Sequence, residues 1–163
     1  DVGIRVERVE FEARGVARAS TRSAHDPARL VVSIGESHTA LCISAGAHTY
    51  FGSTISFGVG ALPREEFSEL LFEDLAPLED AIDLYFKHWH RAVGEKSQPL
   101  EEILLAGDTP HLADITNYLR TRFRIRVTEA NIWTNLAHAH SGVPELGKHD
   151  AIRYAAAIGA VLQ

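Results

Sequence analysis

A chain of 163 residues, 45% apolar and 23% charged, suits one globular domain that buries roughly 70% of its extended surface. Asp and Glu outnumber Lys and Arg by 22 to 16, giving a net charge of −6, which argues against a broad electrostatic surface for nucleic acid. The single cysteine, Cys42, excludes a disulfide within the chain, and no stretch reaches the ~20 apolar residues of a membrane helix or has the form of a signal peptide.

A reduced, cytoplasmic setting is the default expectation for such a chain, and one that starts at Asp1 rather than Met reads as a piece of something longer. In chain order, Gly3-Ile4-Arg5-Val6-Glu7-Arg8 alternates like a short strand with one polar face. Phe11 to Ser20 follows as a short helix whose small residues, Ala13, Gly15, Ala17 and Ala19, let another backbone come close. After a polar loop closed by Asp26-Pro27, Leu30 to Phe57 reads as three strands in a meander. Leu30–Ile34 is a near-continuous apolar run, as a strand covered on both faces should be. Gly35–His38 turns, Thr39–Ile43 returns, Ser44–Ala47 turns again, and Tyr50–Phe57 runs out to Gly58 and Gly60.

From Arg64 the period becomes helical. Leu71, Leu75, Leu78, Ile82, Tyr85, Trp89 and Val93 step by threes and fours. Pro77 divides this stripe into a first helix ending near Ala76 and a second with Pro77 in its opening turn. Tyr85 and Trp89 read as core packing. Gly94–Pro99 is a loop, and Ile103–Ala106 is a buried strand ended by Gly107-Asp108. Thr109 as N-cap and Pro110 at the first helical position then open a helix whose apolar face is Leu112, Ile115 and Leu119. Arg124-Ile125-Arg126-Val127 alternates like an edge or near-edge strand with its arginines in water. Glu129–Gly147 has no clear period, and Asp150–Leu162 is an alanine-rich helix. Gly159 inside it costs ~1 kcal/mol relative to Ala. Close approach by the small-residue helix at Phe11–Ser20 is the reason the sequence offers for it.

Three hairpin strands, then helix, strand, helix, strand, helix, predict an α/β fold: a mixed five-stranded sheet with helices on both faces, the ribonuclease-H-like arrangement. Val31-Val32-Ser33-Ile34-Gly35-Glu36-Ser37-His38-Thr39, with Gly46 and Phe57-Gly58, resembles the second phosphate-binding hairpin of the actin-like ATPases. Leu104-Leu105-Ala106-Gly107-Asp108-Thr109 resembles their adenosine-binding turn, Val9–Ala19 their first connecting helix, and Asp150–Leu162 their second. Within that superfamily the chain is most similar to the PilM family of type IV pilus assembly proteins, with the Leu75–Arg91 helix and Glu129-Ala130-Asn131 adding to the likeness, and more distantly to the FtsA family of division proteins. The resemblance implies an actin-like second lobe over residues 30–163, preceded over residues 1–29 by a connecting strand and helix from an earlier lobe. It also implies a nucleotide site at Ser33, Gly35, Glu36, Ser37, Thr39, Gly107, Asp108 and Thr109.

Three departures from the family pattern shape the functional expectation. The first strand of the family ends on an aspartate that holds Mg²⁺ through water, and Ser33 stands there instead. The second glycine of the adenosine turn is Asp108. The small inserted subdomain that usually follows the third strand is missing, since only Gly58 to about Leu75 separates Phe57 from the long helix. The chain is therefore expected to be a cytoplasmic scaffold of type IV pilus or related envelope assembly, peripheral at the inner membrane. Its nucleotide site is expected to be degenerate, holding ATP and Mg²⁺ weakly and none in the isolated chain. The implied partner is the cytoplasmic tail of an inner-membrane pilus assembly protein, with self-association besides, no nucleic acid and no insertion into the membrane. The alternative is an active actin-like ATPase or sugar-kinase-like phosphotransferase, captured as one lobe.

Other chemistries fit less well. Gly35-Glu36-Ser37-His38-Thr39 is similar to a serine nucleophile elbow, but Thr39 stands where glycine is required and a strand follows instead of a helix. His88 and His90 lie two apart in a helix and point to different faces, so no metal is expected there. His138 and His140 read as surface histidines, with no cysteine or carboxylate at ligand spacing. Arg120, Arg122, Arg124 and Arg126 form a basic ladder whose plainest reading is a solvated strand face.

Overall fold

The computed structural model describes residues 3, 5, 9–62, 74–93, 98–136 and 147–162. Most of the strand expected at Gly3–Arg8, the helix expected upstream of Asp74, and the His138 and His140 pair lie outside the described residues. Among the described residues five strands form one sheet: β1 (Arg29–Ile34), β2 (Thr39–Ala45), β3 (His48–Ile55), β4 (Glu102–Gly107) and β5 (Arg126–Glu129). Their order is β3-β2-β1-β4-β5. The hairpin pairs β1–β2 and β2–β3 are antiparallel, while β1–β4 and β4–β5 are parallel. All six residues of β1 are buried, in keeping with its apolar run and central place.

Helices cover both faces of the sheet. The helix α1 (Glu12–Ser20) reaches the face that carries Ser33, whereas α2 (Ala76–Val93) sends Tyr85 to the opposite face. There the Tyr85 hydroxyl donates to Leu41 O at 2.9 Å and lies 3.0 Å from Ser53 Oγ. Next along the chain, α3 (Leu112–Phe123) packs beside α2, its Phe123 ring stacked 6.1 Å from Phe86. Pro77 sits in the opening turn of α2, where its missing N–H has no helical partner to lose. Trp89 is core, as its place in the stripe requires, and its indole N–H donates to Gln98 O.

The remaining α-helices among the described residues are short: α4 (Trp133–Leu136), α5 (Lys148–Ile152) and α6 (Ala155–Val161). The expected single helix over Asp150–Leu162 is thus two, divided at Arg153-Tyr154 by a tight turn in which Tyr154 N–H bonds back to Ala151 O at 3.0 Å. Across the sheet face, α6 crosses α1 at glycines. A Cβ on Gly15 would come 2.5 Å from Ala156 O, and one on Gly159 would overlap Gly15 O. The close approach foreseen for the two small-residue helices is present, with Gly15 as the contact residue of α1.

Two boundaries differ from expectation. The helix after β4 begins at Leu112, with His111 at its cap position, so Pro110 lies in the preceding turn. The Thr109 hydroxyl still catches a free backbone donor, the N–H of His111, at 3.2 Å. The last strand begins at Arg126 because Arg124 ends α3 in the left-handed conformation, φ 52°, with its N–H on Arg120 O. The basic ladder is accordingly dispersed. Arg120 donates to Val127 O, Arg122 pairs with Glu79 at 2.8 Å, and Arg126 pairs with Glu102. The edge position expected for this strand holds.

Candidate functional site

Because β1 and β4 run parallel with Ile34 opposite Gly107, the turns that follow them leave the sheet at the same end. This brings the hairpin turn Gly35–His38 beside the turn Gly107–Thr109. Gly107 permits the approach: a Cβ there would stand 2.9 Å from Ile34 O. A recess of about 400 Å³ opens between the turns, with Glu36 on one side and Asp108, Thr109 and His111 on the other. A second, of about 330 Å³, lies between the Gly107–Pro110 turn and Asp150 and Arg153.

The hairpin turn is held by its own backbone and by the chain that follows β3. Gly35 N–H donates to His38 O at 2.9 Å. Val59 N–H donates to Gly35 O and Gly60 N–H to Glu36 O, at 3.0 and 2.8 Å. Gly58 and Gly60 are required for this contact, since a Cβ on Gly58 would overlap Glu36 O and one on Gly60 would come 2.8 Å from the same atom. Thr39 is fully buried, and its hydroxyl donates to Phe57 O at 2.8 Å. Of the eight sequence-expected residues, Thr39 therefore serves the sheet, while Glu36, Ser37 and Asp108 stand at the open end. Ser33, 6% exposed, lies below them at the root of the turn.

One participant was missed by the sequence reading. Glu12, in the first turn of α1, accepts the Ser33 hydroxyl on Oε1 at 2.7 Å and faces His38 Nε2 with Oε2 at 3.4 Å. The Ser37 hydroxyl completes the string, 3.3 Å from His38 Nδ1. A carboxylate from 21 residues upstream thus stands against the Ser33 hydroxyl. The only sequence signal for it was an acidic residue opening a helix, which any helix favours.

The other departure from expectation lies at Asp108. Arg153, thrown outward by the break between α5 and α6, places Nε 2.7 Å from Asp108 Oδ1. Both side chains are 55% exposed, so the pair is solvent-screened and worth well under 1 kcal/mol to the fold. Its effect is positional: it lays a guanidinium beside the turn.

Chemically the site offers hard oxygens of the kind Mg²⁺ accepts, on Glu12, Ser33 and Glu36, to a cation that would keep several of its waters. Among the described residues no group of three or more His, Cys, Asp or Glu converges to bind a metal directly. The described residues thus form no closed metal site, and Glu12, Ser33 and Glu36 are the oxygens that would hold Mg²⁺ through its own waters. With Glu12, Glu36, Asp108 and Asp150 facing His38, His111 and Arg153, the field at this end is acidic overall and opposes an unaccompanied polyphosphate.

No protein family model matches the chain, and no curated protein matches it in sequence. Solved structures do match in fold. A PilM–PilN type IV pilus biogenesis complex is similar over 96% of this chain and 52% of its own, at 16% identity and a TM-score of 0.53. MreB 5 of Spiroplasma citri bound to AMPPNP is similar over 97% and 59%, at 11% identity and a TM-score of 0.63. The apo pSK41 ParM protein is similar over 91% and 46%, at 12% identity and a TM-score of 0.51. The chain spans about half the length of each of these. The fold is accordingly actin-like, with the mixed five-stranded sheet of that class.

Proposed function

We propose that this chain is the second lobe of an actin-like scaffold protein, PilM-like in kind, whose nucleotide site is degenerate. The observation that carries this reading is the Asp108–Arg153 pair. It sets a charged side chain where the adenosine turn needs a bare backbone, and covers it with a guanidinium from the C-terminal helices. Ser33 in the metal position supports it, as does the short passage from Phe57 to Leu75 in place of an inserted subdomain. In this reading the working partner is the cytoplasmic tail of an inner-membrane pilus assembly protein, which would hold the scaffold at the inner face of the membrane. The similarity to a PilM–PilN complex supports that choice. Among the described residues no helix is long and apolar enough to cross a membrane.

Calorimetric titration of the longest native chain with Mg-ATP and Mg-ADP tests the proposal. A dissociation constant no tighter than about 1 mM, or about −4 kcal/mol, is expected, without phosphate release. Micromolar binding or steady release of phosphate would sink it.

Glu12 favours a second reading, that of an active actin-like ATPase. It places a carboxylate and, through His38, an imidazole at the mouth of the phosphate hairpin. Carboxylate and imidazole are side-chain types that serve as general bases. Phosphate release by the parent chain that disappears in Glu12→Gln, with folding intact, would establish this reading in place of the first.

A further inference from the structure

The opposite end of the sheet holds a different recess, of about 270 Å³, at the N-terminal ends of β1, β4 and β5. Arg29, Glu102 and Arg126 lie directly abreast across these three strands. Arg29 is 7% exposed, and its guanidinium makes one hydrogen bond among the described residues, from Nη2 to the Thr21 hydroxyl at 2.9 Å. No described carboxylate lies within ion-pairing distance of it. The two nearest in effect are engaged elsewhere: Glu102 receives the Thr128 hydroxyl and pairs with Arg126, and Asp26 accepts the N–H of Arg22. Burial lowers the Arg29 pKa, against the pull of Asp26 and Glu102. Ser20, at the end of α1 and 5% exposed, lines the same recess, and its hydroxyl oxygen is buried with no hydrogen-bond partner among the described residues.

A guanidinium has five N–H donors in a planar fork. Arg29 has one neutral hydroxyl as its side-chain partner among the described residues, and its remaining N–H donors are open to the recess it lines, where a counter-ion would complete the set. An unpartnered serine hydroxyl beside the same space is a second donor with nothing to receive it. Two independent side chains therefore ask for an acceptor in one place.

We propose that this recess binds a small, singly charged carboxylate, its two oxygens on the Arg29 fork and within reach of the Ser20 hydroxyl. The planar fork matches a carboxylate in bidentate fashion. The wall chemistry decides against phosphate. Arg22, Arg29 and Arg126 are balanced by Asp26, Glu102 and Glu129, so the recess carries no surplus charge with which to hold a dianion. Its volume lies below the usual range for drug-sized ligands and suits a compound of a few heavy atoms. The site is at the far end of the sheet from the nucleotide turns, and the proposal stands or falls apart from the reading given above.

The test is thermal melting of the whole chain in sodium acetate, sodium phosphate and sodium chloride at matched ionic strength, with NMR of the arginine Nε–H resonances alongside. Acetate should raise the melting temperature saturably beyond chloride and move the Arg29 resonance, and phosphate should do less than acetate. Arg29→Lys, which keeps the charge but loses the fork, should weaken the acetate response at least about tenfold. Arg29→Leu should abolish it while melting no lower than the parent in chloride, because it removes an unpaired buried charge. Where Arg29→Leu does not fold, Ser20→Ala decides, with weaker acetate binding expected. The proposal is overturned by no saturable acetate effect in the parent, by an equal effect in Arg29→Leu, by preference for phosphate, or by unchanged acetate affinity in Ser20→Ala.

Discussion

Ser33 shows how one side chain is read differently once its neighbour is known. By resemblance it stands where a metal ligand is expected; beside Glu12 it is half of a hydrogen bond at the root of the hairpin. Placing a carboxylate at this position by Ser33→Asp would set it against Glu12, one group at a 6% exposed position and the other 37% exposed. One of the pair would then keep its proton, with a folded pKa above the unfolded value. A carboxylate raised in this way costs stability above its unfolded pKa, and the cost fades as pH falls toward it. The variant should therefore be about 1–3 kcal/mol less stable than the parent at pH 7, should close the gap toward pH 4–5, and should be stabilised by millimolar Mg²⁺ more than the parent is. Chemical denaturation at two pH values, with and without Mg²⁺, measures all three. Cys42 makes the opposite excursion in pH. Burial in mid-strand pushes its thiol from 9.0 up to about 12, against the pull of Arg29 and Arg14. A thiol raised on folding favours the folded state less once the unfolded chain can ionise. Its contribution is whole below pH 9 and is lost between about 9 and 12. Stability should fall through that window, and Cys42→Ala should flatten the fall even though it lowers stability at neutral pH. Native Cys42 should also react with thiol reagents only as fast as the strand opens.

At the scale of elements, the parts legible in the sequence were those with a repeating pattern or a punctuating residue. The apolar run of β1, the turn at Gly35, the stripe through Leu78, Ile82, Tyr85 and Trp89, and the role of Pro77 all lie where period and turn chemistry put them. What escaped were features set by tertiary contact. Arg124 ends α3 in a conformation that glycine or asparagine would have announced, so the strand was read two residues early. Nothing in Ala151-Ile152-Arg153-Tyr154-Ala155 announces a break, and Arg153 finds Asp108 only across the fold. The candidate site was half legible for the same reason: its two turns follow from local sequence, whereas Glu12 arrives from another element. The pairing of α1 with α6 was legible through its small residues, and the tightest approach among its glycines is between Gly15 and Gly159. At this crossing even one methyl group is too many. Gly159→Ala and Gly15→Ala should each cost ~1–3 kcal/mol through forced backbone separation, and 1 kcal/mol is roughly 2–4 °C in melting temperature at this size. Thermal scans of the two variants check this, and melting equal to the parent's would mean the helices do not touch.

For the whole molecule, the actin-like architecture places the Gly35–His38 and Gly107–Thr109 turns at one end of the sheet and the Arg29 recess at the other, with α1 running between them from Glu12 to Ser20. The same helix carries Arg18, which pairs with Glu10 and donates to Gly159 O at 2.6 Å, a residue 141 positions along the chain. That separation bears on the order of events in folding. The β1–β2–β3 meander closes short loops and can form early, whereas the α1–α6 crossing closes nearly the longest loop the chain contains and yields its contacts only after that entropy is spent. The crossing should be absent from the folding transition state. Gly159→Ala should then leave the refolding rate within about twofold of the parent and place almost all of its destabilisation in faster unfolding. Stopped-flow chevrons decide it, and a refolding limb slowed in proportion to the lost stability would show that the ends meet first. A late-forming clasp of this kind passes any stability lost at Gly15 or Gly159 directly into a shorter native lifetime, while the rate at which the chain refolds is left as it was.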